Sequence, residues 1–244
     1  MKVVHISDFH LRLHLPGTSA VPRRLSRETP ALLRRAVAEI QAEGPDLVAV
    51  TGDLVDHPFD DMDGAENLRL GRLDLEEVRR AFEPLACPVA FLGGNHDHPL
   101  LLADVFAGGS ADFEVQGHRV LCFADAEGPD NVPRREGGEA RRFAAALEDA
   151  DRRPQIHLQH YLIAPRRDEG YPHTYAGAED MAARIEAAAK VRLVLSGHYH
   201  PGVEPFERAG TWYGVAPAFC EEPHPFRVYT VDGATVRWRE ARLS

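Results

Sequence analysis

Carboxylate, amide and imidazole side chains are concentrated in five short segments, each of which directly follows a stretch that reads as a buried strand. The candidate metal ligands are Asp8, His10, Asp53, Asn95, His160, His198 and His200. Oxygen and nitrogen donors mixed in this way suit Mn, Fe, Zn or Co better than Ca or Mg, which favour shells of oxygen alone. Two such ions about 3.5–4 Å apart could acidify a shared water and hold both the attacking and the leaving oxygen of a phosphoryl group. We therefore predict a two-metal site for phosphoester hydrolysis.

The spacing of these residues indicates how they could share ions. Asp8 and His10 are two residues apart, so an extended backbone would project both side chains to the same side, and the second histidine pair repeats this spacing. Asp53 offers two carboxylate oxygens, enough to bridge two cations, and Asn95 offers an amide oxygen. A neutral imidazole would complete the set. His160 is our candidate, and His157, which lies in the same predicted strand, is the competing candidate.

The predicted strands and helices explain how segments so far apart in the chain could meet. Short apolar runs alternate with helical periodicity, which is typical of layered α/β architecture, and such sheets bind ligands just beyond their strand ends. Predicted strands cover 2–7, 46–51, 88–92, 112–116, 118–123, 156–160, 191–195, 226–231 and 234–239. Predicted helices cover 29–43, 73–85, 139–150 and 178–189. Loops 54–70 and 162–177 are expected to form the walls of the pocket.

The ordered segments resemble the calcineurin-like metallophosphoesterase superfamily. Its pattern is Asp-x-His, Gly-Asp, Gly-Asn-His-Asp or Glu, His, and Gly-His-x-His, and every segment is present here in that order. The resemblance implies a four-layer αββα sandwich of two mixed β-sheets flanked by helices. It also implies that Asp53 bridges two ions, each held by four residues. The first set is Asp8, His10, Asp53 and His200, and the second set is Asp53, Asn95, His160 and His198.

The same resemblance implies catalytic roles for two residues that are not ligands. His96 would contact the scissile phosphate and protonate the leaving oxygen, a task suited to a side chain that titrates near neutrality. Asp56, three residues after Asp53, resembles the carboxylate that orients this histidine in related phosphatases. The implied reaction is attack by a hydroxide formed between two divalent or mixed-valence metal ions, with Mn and Fe favoured.

Departures from other branches of the superfamily narrow the choice of substrate. Purple acid phosphatases carry a tyrosine where Asp56 stands, and Ser/Thr protein phosphatases continue with Arg-Gly where His57-Pro58 stands. Lipid A pathway hydrolases usually have arginine where His96 stands and work at a membrane. DNA-repair nucleases of the superfamily are usually longer. The short form with Gly-Asn-His-Asp is most similar to bacterial class III cyclic nucleotide phosphodiesterases.

Three hypotheses follow. The first is a phosphodiesterase acting on a small phosphoester, with a cyclic nucleotide as one candidate. The second is a phosphomonoesterase of small metabolites, and the third is a metal-bound regulatory protein without turnover. The sequence leaves the roles of His57, His98, His173 and Arg166 open.

Composition sets outer limits on these hypotheses. The 244 residues show no repeat or linker, so we predict one domain spanning 1–244. The net charge of −10 disfavours binding of duplex nucleic acid, and no apolar run reaches the roughly 20 residues that span a bilayer. Three cysteines without Cys-x-x-Cys spacing favour a cytoplasmic protein. The oligomeric state stays open.

Overall fold

The computed structural model describes residues 1–106 and 112–243, which form two large β-sheets, a small hairpin and five α-helices. The helices are α1 (Thr29–Glu43), α2 (Ala65–Phe82), α3 (Pro99–Val105), α4 (Gly137–Glu148) and α5 (Ala178–Ala188). The first seven strands are β1 (Lys2–Ile6), β2 (Leu47–Thr51), β3 (Val89–Leu92), β4 (Phe113–Val115), β5 (His118–Cys122), β6 (Ala126–Glu127) and β7 (Pro133–Arg134). The remaining strands are β8 (Gln155–Leu158), β9 (Val191–Ser196), β10 (Val203–Arg208), β11 (Thr211–Val215), β12 (Pro225–Asp232) and β13 (Thr235–Arg242).

Both large sheets are mixed. The first has the order β13-β12-β1-β2-β3, in which β1, β2 and β3 are parallel and β12 is antiparallel to both of its neighbours. The second has the order β10-β11-β9-β8-β5-β4, in which β11, β9, β8 and β5 are parallel. Parallel neighbours place their carboxyl ends at one edge of each sheet, which is where the candidate ligands follow.

The side-chain alternation of the strands divides the core into layers. In β2, Leu47 and Ala49 pack in the cluster between the two sheets, whereas Val48 and Val50 pack against helices. The first sheet packs its outer face on α1, α2 and α3, and the second packs its outer face on α4 and α5. The order helix, sheet, sheet, helix confirms the predicted αββα sandwich.

Several elements differ from the sequence prediction, which gave no bounds for strands β10 and β11. Helix α2 begins at Ala65 rather than at residue 73, so residues 65–70 of the predicted loop 54–70 are helical. The acidic residues of this stretch suggested a loop, and Gly71 is unfavourable inside a helix. Helix α3 was not predicted, because seven residues are too few to show helical periodicity. The β6-β7 hairpin was also missed, since each of its strands has only two residues.

Gly71 is required because α2 passes close to His57. A Cβ at this position would overlap the His57 imidazole, and that ring is buried and held by a hydrogen bond from Nδ1 to the His96 carbonyl, 3.2 Å long. We expect Gly71→Ala to lower the free energy of unfolding by about 1–3 kcal/mol, because overpacking outweighs the better helix propensity of alanine. Urea unfolding measures the change. Gly138 in α4 has open space around its Cα, so Gly138→Ala should instead stabilise the protein by about 0.4–1 kcal/mol.

The described part of the chain has no helix that combines the length and the apolar character needed to cross a membrane.

Candidate metal centre

The predicted ligands follow five strands whose carboxyl ends meet at one edge of the sandwich. Asp8, Asp53 and Asn95 come two or three residues after β1, β2 and β3 of the first sheet. His160 and His198 each come two residues after β8 and β9 of the second sheet. Strand direction and sheet pairing therefore bring together residues that are up to 192 positions apart in the chain, as Asp8 and His200 are.

Backbone conformation at this edge is unusual. Asp8, His10, Asp53 and His198 all have positive φ, at 59°, 42°, 52° and 67°. Left-handed conformations cost a non-glycine residue about 1–3 kcal/mol and cluster at functional sites, where surrounding contacts hold them. Here the amide nitrogens of Asp8 and His10 donate to the carbonyls of Gly52 and Asp53 at 3.0 and 2.9 Å. The expectation that an extended backbone directs Asp8 and His10 to one side was therefore wrong, because β1 ends at Ile6. A loop fixed by these hydrogen bonds orients the two side chains instead.

The first donor set surrounds one point with buried ligand atoms. His10 Nε2 lies 3.1 Å from His200 Nε2 and 3.4 Å from Asp53 Oδ2, and His200 Nε2 lies 3.6 Å from Asp8 Oδ1. One ligand atom from each of these four residues lies within 4.8 Å of the others. These separations suit donors that share an ion with bonds of about 2.0–2.2 Å. They are the four residues that the resemblance assigns to the first ion.

The second donor set shares Asp53 with the first. His160 Nε2 lies 3.5 Å from Asp53 Oδ2, and a ligand atom of His198 lies within 4.8 Å of both residues. Asn95 lines the same cleft as Asp53 and His198. The competing candidate, His157, points away from the cleft, because it lies within β8 and packs its ring against Phe123 and Phe143.

The chemistry of the second set fits a bound cation. Asn95 Oδ1, His160 Nε2 and His198 Nε2 are buried, and none has a hydrogen-bond partner within residues 1–106 and 112–243. Buried polar atoms are rarely left in this state. Burial lowers the pKa of His160, but the carboxylates of Asp53 and Asp8 outweigh it and raise the pKa to about 9. In the absence of a metal, the negative charge of the site is thus strong enough to hold a proton on this imidazole.

Two motif glycines allow the ligands to approach one another. A Cβ at Gly94 would overlap Asp53 and His160, and a Cβ at Gly197 would overlap Ser7 and Asp8. Glycine is therefore needed in the Gly-Asn-His-Asp and Gly-His-x-His segments because ligand side chains pass where a larger residue would project.

In two of the candidate ligands, His160 and His200, the ring nitrogen that faces away from the donor set makes a hydrogen bond to an oxygen atom. His160 Nδ1 donates to the Thr51 carbonyl at 2.6 Å, and His200 Nδ1 donates to Glu221 Oε1 at 2.6 Å. In the neutral imidazole, both contacts place the proton on Nδ1 and direct Nε2 at the donor set, which is how metal-binding histidines are usually oriented. Sequence reasoning missed Glu221, because it lies 21 residues after His200 and outside every motif.

We expect Glu221→Gln to weaken binding of the first ion about 10- to 100-fold, because the amide cannot accept this proton with the strength of a carboxylate. Calorimetric titration of the metal-stripped protein with Mn²⁺ measures the affinity directly. The neighbouring Glu222 is exposed, and Glu222→Gln is the matched control. Equal affinities in the two variants would contradict an orienting role for Glu221.

His96 and Asp56 form the predicted acid and its orienting partner. His96 Nδ1 lies 2.8 Å from Asp56 Oδ1, and the His96 amide donates to Asp53 Oδ1 at 3.0 Å. Arg12 Nε donates to the other oxygen of Asp56 at 2.9 Å. Burial raises the pKa of Asp56, but the contacts with His10 and His96 outweigh it and hold the pKa well below its usual range. Asp56 is therefore an anion in contact with His96 at neutral pH.

A buried carboxylate also holds the loops of the site together. Asp97 accepts hydrogen bonds from the amides of Leu54, Val55 and Gly94 at 2.9–3.0 Å. Burial and the nearby Asp53 raise the pKa of Asp97 to about 7. This side chain ties the loop after β2 to the loop after β3, and the sequence suggested no role for it.

An open cleft of about 490 Å³ lies over the donor sets. Phe59 comes from predicted loop 54–70, and Glu169, Tyr171 and His173 come from predicted loop 162–177, so both loops contribute to its lining as expected. The other three residues whose roles were open have structural contacts. His57 bonds to the His96 carbonyl, His98 caps α3, and Arg166 pairs with Asp168.

The chain is similar to known proteins in sequence. The profile of the calcineurin-like phosphoesterase family matches residues 1–202. A probable cyclic nucleotide phosphodiesterase from Synechococcus sp. is 25% identical over 214 residues, which are 82% of this chain and 73% of that protein.

Solved structures show the same fold. A dimetal phosphatase from Danio rerio has a TM-score of 0.72 and 14% identity, with 98% of this chain and 95% of that chain covered. Purple acid phosphatase PPD1 from yellow lupin has a TM-score of 0.61 and 17% identity, with 98% of this chain and 51% of that chain covered. At these identities the likeness concerns the fold alone.

Proposed function

Since this chain belongs to the calcineurin-like phosphoesterase family, whose members are metal-dependent phosphoester hydrolases, we propose that it hydrolyses a small phosphodiester at two transition-metal ions. The observation that carries this proposal is the sharing of Asp53 between two sets of buried ligand atoms. One set includes Asp8, His10 and His200, and the other includes His160 and His198, with Asn95 at the same cleft. A cyclic nucleotide is the first candidate substrate.

The chain's own residues would divide the work of hydrolysis. The two ions, when bound, would supply an acidified water as the nucleophile and neutralise charge on the phosphoryl oxygens. His96 lines the cleft beside Asp53 and would give a proton to the departing ester oxygen. Asp56 would fix the direction of this imidazole and stabilise its charged form through the 2.8 Å contact. Asp53 would fix the position of the two donor sets relative to each other, because it belongs to both.

Two observations favour a diester over a monoester. The cleft is lined by two aromatic rings, that of Phe59 beside His96 and that of Tyr171 beside His198. A diester carries a substituent on each of two ester oxygens, and each ring would offer one of them an apolar contact. The Synechococcus relative is described as a probable cyclic nucleotide phosphodiesterase. Neither observation specifies the substituents.

Two substrates with the same leaving group test the proposal. Bis-p-nitrophenyl phosphate and p-nitrophenyl phosphate both release p-nitrophenolate, so their rates compare diester with monoester. We expect Mn-loaded protein to hydrolyse the diester with at least a tenfold higher kcat/KM. A preference for the monoester would instead identify a phosphomonoesterase. An absence of hydrolysis with Mn, Fe, Zn and Co would support a metal-bound regulatory protein.

A further inference from the structure

Phe59 is an exposed aromatic residue at the edge of the candidate site. Its residue surface is 63% exposed, and its ring centre lies 4.5 Å from the ring centre of His96. Phe59 also lines the cleft that contains the shared ligand Asp53. An apolar ring placed beside a candidate general acid is therefore directed at the place where a substrate's leaving group would lie.

The segment that carries Phe59 is anchored at both ends. On one side, the His57 amide donates to the His96 carbonyl at 3.4 Å, and His57 Nδ1 donates to the same oxygen at 3.2 Å. On the other side, the Asn67 amide group donates to the carbonyl and side chain of Asp61 at 2.9 and 2.8 Å. These contacts tie the short 3₁₀ turn Phe59–Asp61 to the His96 loop and to α2. The ring is thus held beside His96 by local structure.

Packing within the protein does not account for this position. Burial of a phenylalanine side chain is worth about 1.5–3 kcal/mol, and most of that gain is given up here. Within the described residues, the other large exposed hydrophobic side chains are Leu13 and Leu100, and neither lines the cleft. The uncovered ring at the acid side of the cleft is therefore available to a ligand.

We propose that Phe59 forms a stacking subsite for a planar ring carried on the leaving group, such as the base of a nucleotide. The inference rests on the proposed function, because it takes His96 to mark the side from which the leaving group departs. Stacking on Phe59 would place the ring next to His96 while the phosphoryl group contacts the donor sets. Aromatic rings accept any base on their face, so the subsite selects for a planar ring rather than for one base.

Two ligands that differ only by a base test the subsite. Adenosine 5′-monophosphate and ribose 5-phosphate carry the same phosphate and sugar, so the ratio of their dissociation constants reports the contribution of the base. Calorimetry with Mn-loaded protein measures both constants without requiring turnover. We expect wild-type protein to bind the nucleotide at least about fivefold more tightly, as one stacked base provides. Phe59→Leu should bring this ratio close to one, whereas Phe59→Tyr should retain it.

A matched control separates stacking from loss of apolar surface. Leu100 is 75% exposed and lies outside the cleft lining, so Leu100→Ala should leave the ratio unchanged. A ratio near one in the wild type, or an unchanged ratio in Phe59→Leu, would overturn the proposal. Binding and hydrolysis are measured separately. A protein that prefers the nucleotide but hydrolyses no phosphoester would contradict the proposed function and leave the stacking subsite in place.

Discussion

Replacing His96 by alanine should lower kcat/KM for diesters with poor leaving groups by about 10²- to 10⁴-fold, the range supplied by a general acid. The metal content should stay the same. The imidazole contacts Asp56, whereas the contact between residue 96 and Asp53 is made by the backbone amide, which alanine retains. The bridging carboxylate therefore keeps its hydrogen bond in the variant. Metal analysis together with kinetics on an alkyl diester measures both expectations.

The dependence on the leaving group identifies the role of His96. A p-nitrophenolate leaving group needs little protonation, so hydrolysis of bis-p-nitrophenyl phosphate should suffer much less than hydrolysis of an alkyl diester. His118 lies on β5 and its Nδ1 donates to the Gln116 carbonyl, so His118→Ala is a control for loss of an imidazole elsewhere. Loss of metal from His96→Ala would show that His96 is a ligand. Equal losses for both diesters would argue against proton donation.

Replacing Asp53 by asparagine should reduce the occupancy of both metal sites together. Asp53 Oδ2 lies 3.4 Å from His10 Nε2 in one donor set and 3.5 Å from His160 Nε2 in the other. Asparagine has the same shape but lacks the negative charge with which Asp53 would hold both ions. We expect fewer than one ion per chain and activity near background. Metal analysis after reconstitution with excess Mn²⁺ and desalting gives the count.

Two further variants show whether the loss is specific to the bridge. Asp8→Asn removes a negative charge from the first set only, so the second ion should remain. Asp74 is a buried carboxylate that binds the amides of Leu13, His14 and Leu15, away from the donor sets, and Asp74→Asn should leave the metal content unchanged. If Asp53→Asn loses no more metal than Asp8→Asn does, Asp53 is not a bridge.

Much of the fold was predictable because strands buried on both faces have a simple sequence pattern. The run around Val48 is apolar throughout, since alternate residues face the other sheet and the helices. Elements that depend on tertiary contacts were less predictable. Helix α2 passes close to His57 at Gly71, a contact that no local pattern contains.

The candidate site, like the fold, was predictable in part. Short motifs identified the residues that follow the strands, and the structure brings these residues together. The sequence favoured His160 but left His157 as an alternative, because the choice depends on where β8 ends. That strand ends at Leu158, which turns His157 towards the helix-side core and leaves His160 in the loop. Glu221 and Phe59 were beyond reach, since their importance depends on the distances to His200 and His96.

The residue at position 56 distinguishes this chain from purple acid phosphatases. The fold is shared with the yellow lupin enzyme, yet Asp56 stands where that branch carries tyrosine. In this chain Asp56 contacts His96 and Arg12. The likeness therefore concerns the sandwich, and the loops at its edge can differ between proteins that share it.

We propose that hydrolysis depends on two ions that share Asp53. This dependence is tested by titrating metal-stripped protein with Mn²⁺ and measuring bound metal and hydrolysis of bis-p-nitrophenyl phosphate on the same samples. We predict that activity rises with the second bound ion and reaches its maximum at two ions per chain. Full activity with one ion per chain, or hydrolysis by the metal-free protein, would contradict the claim.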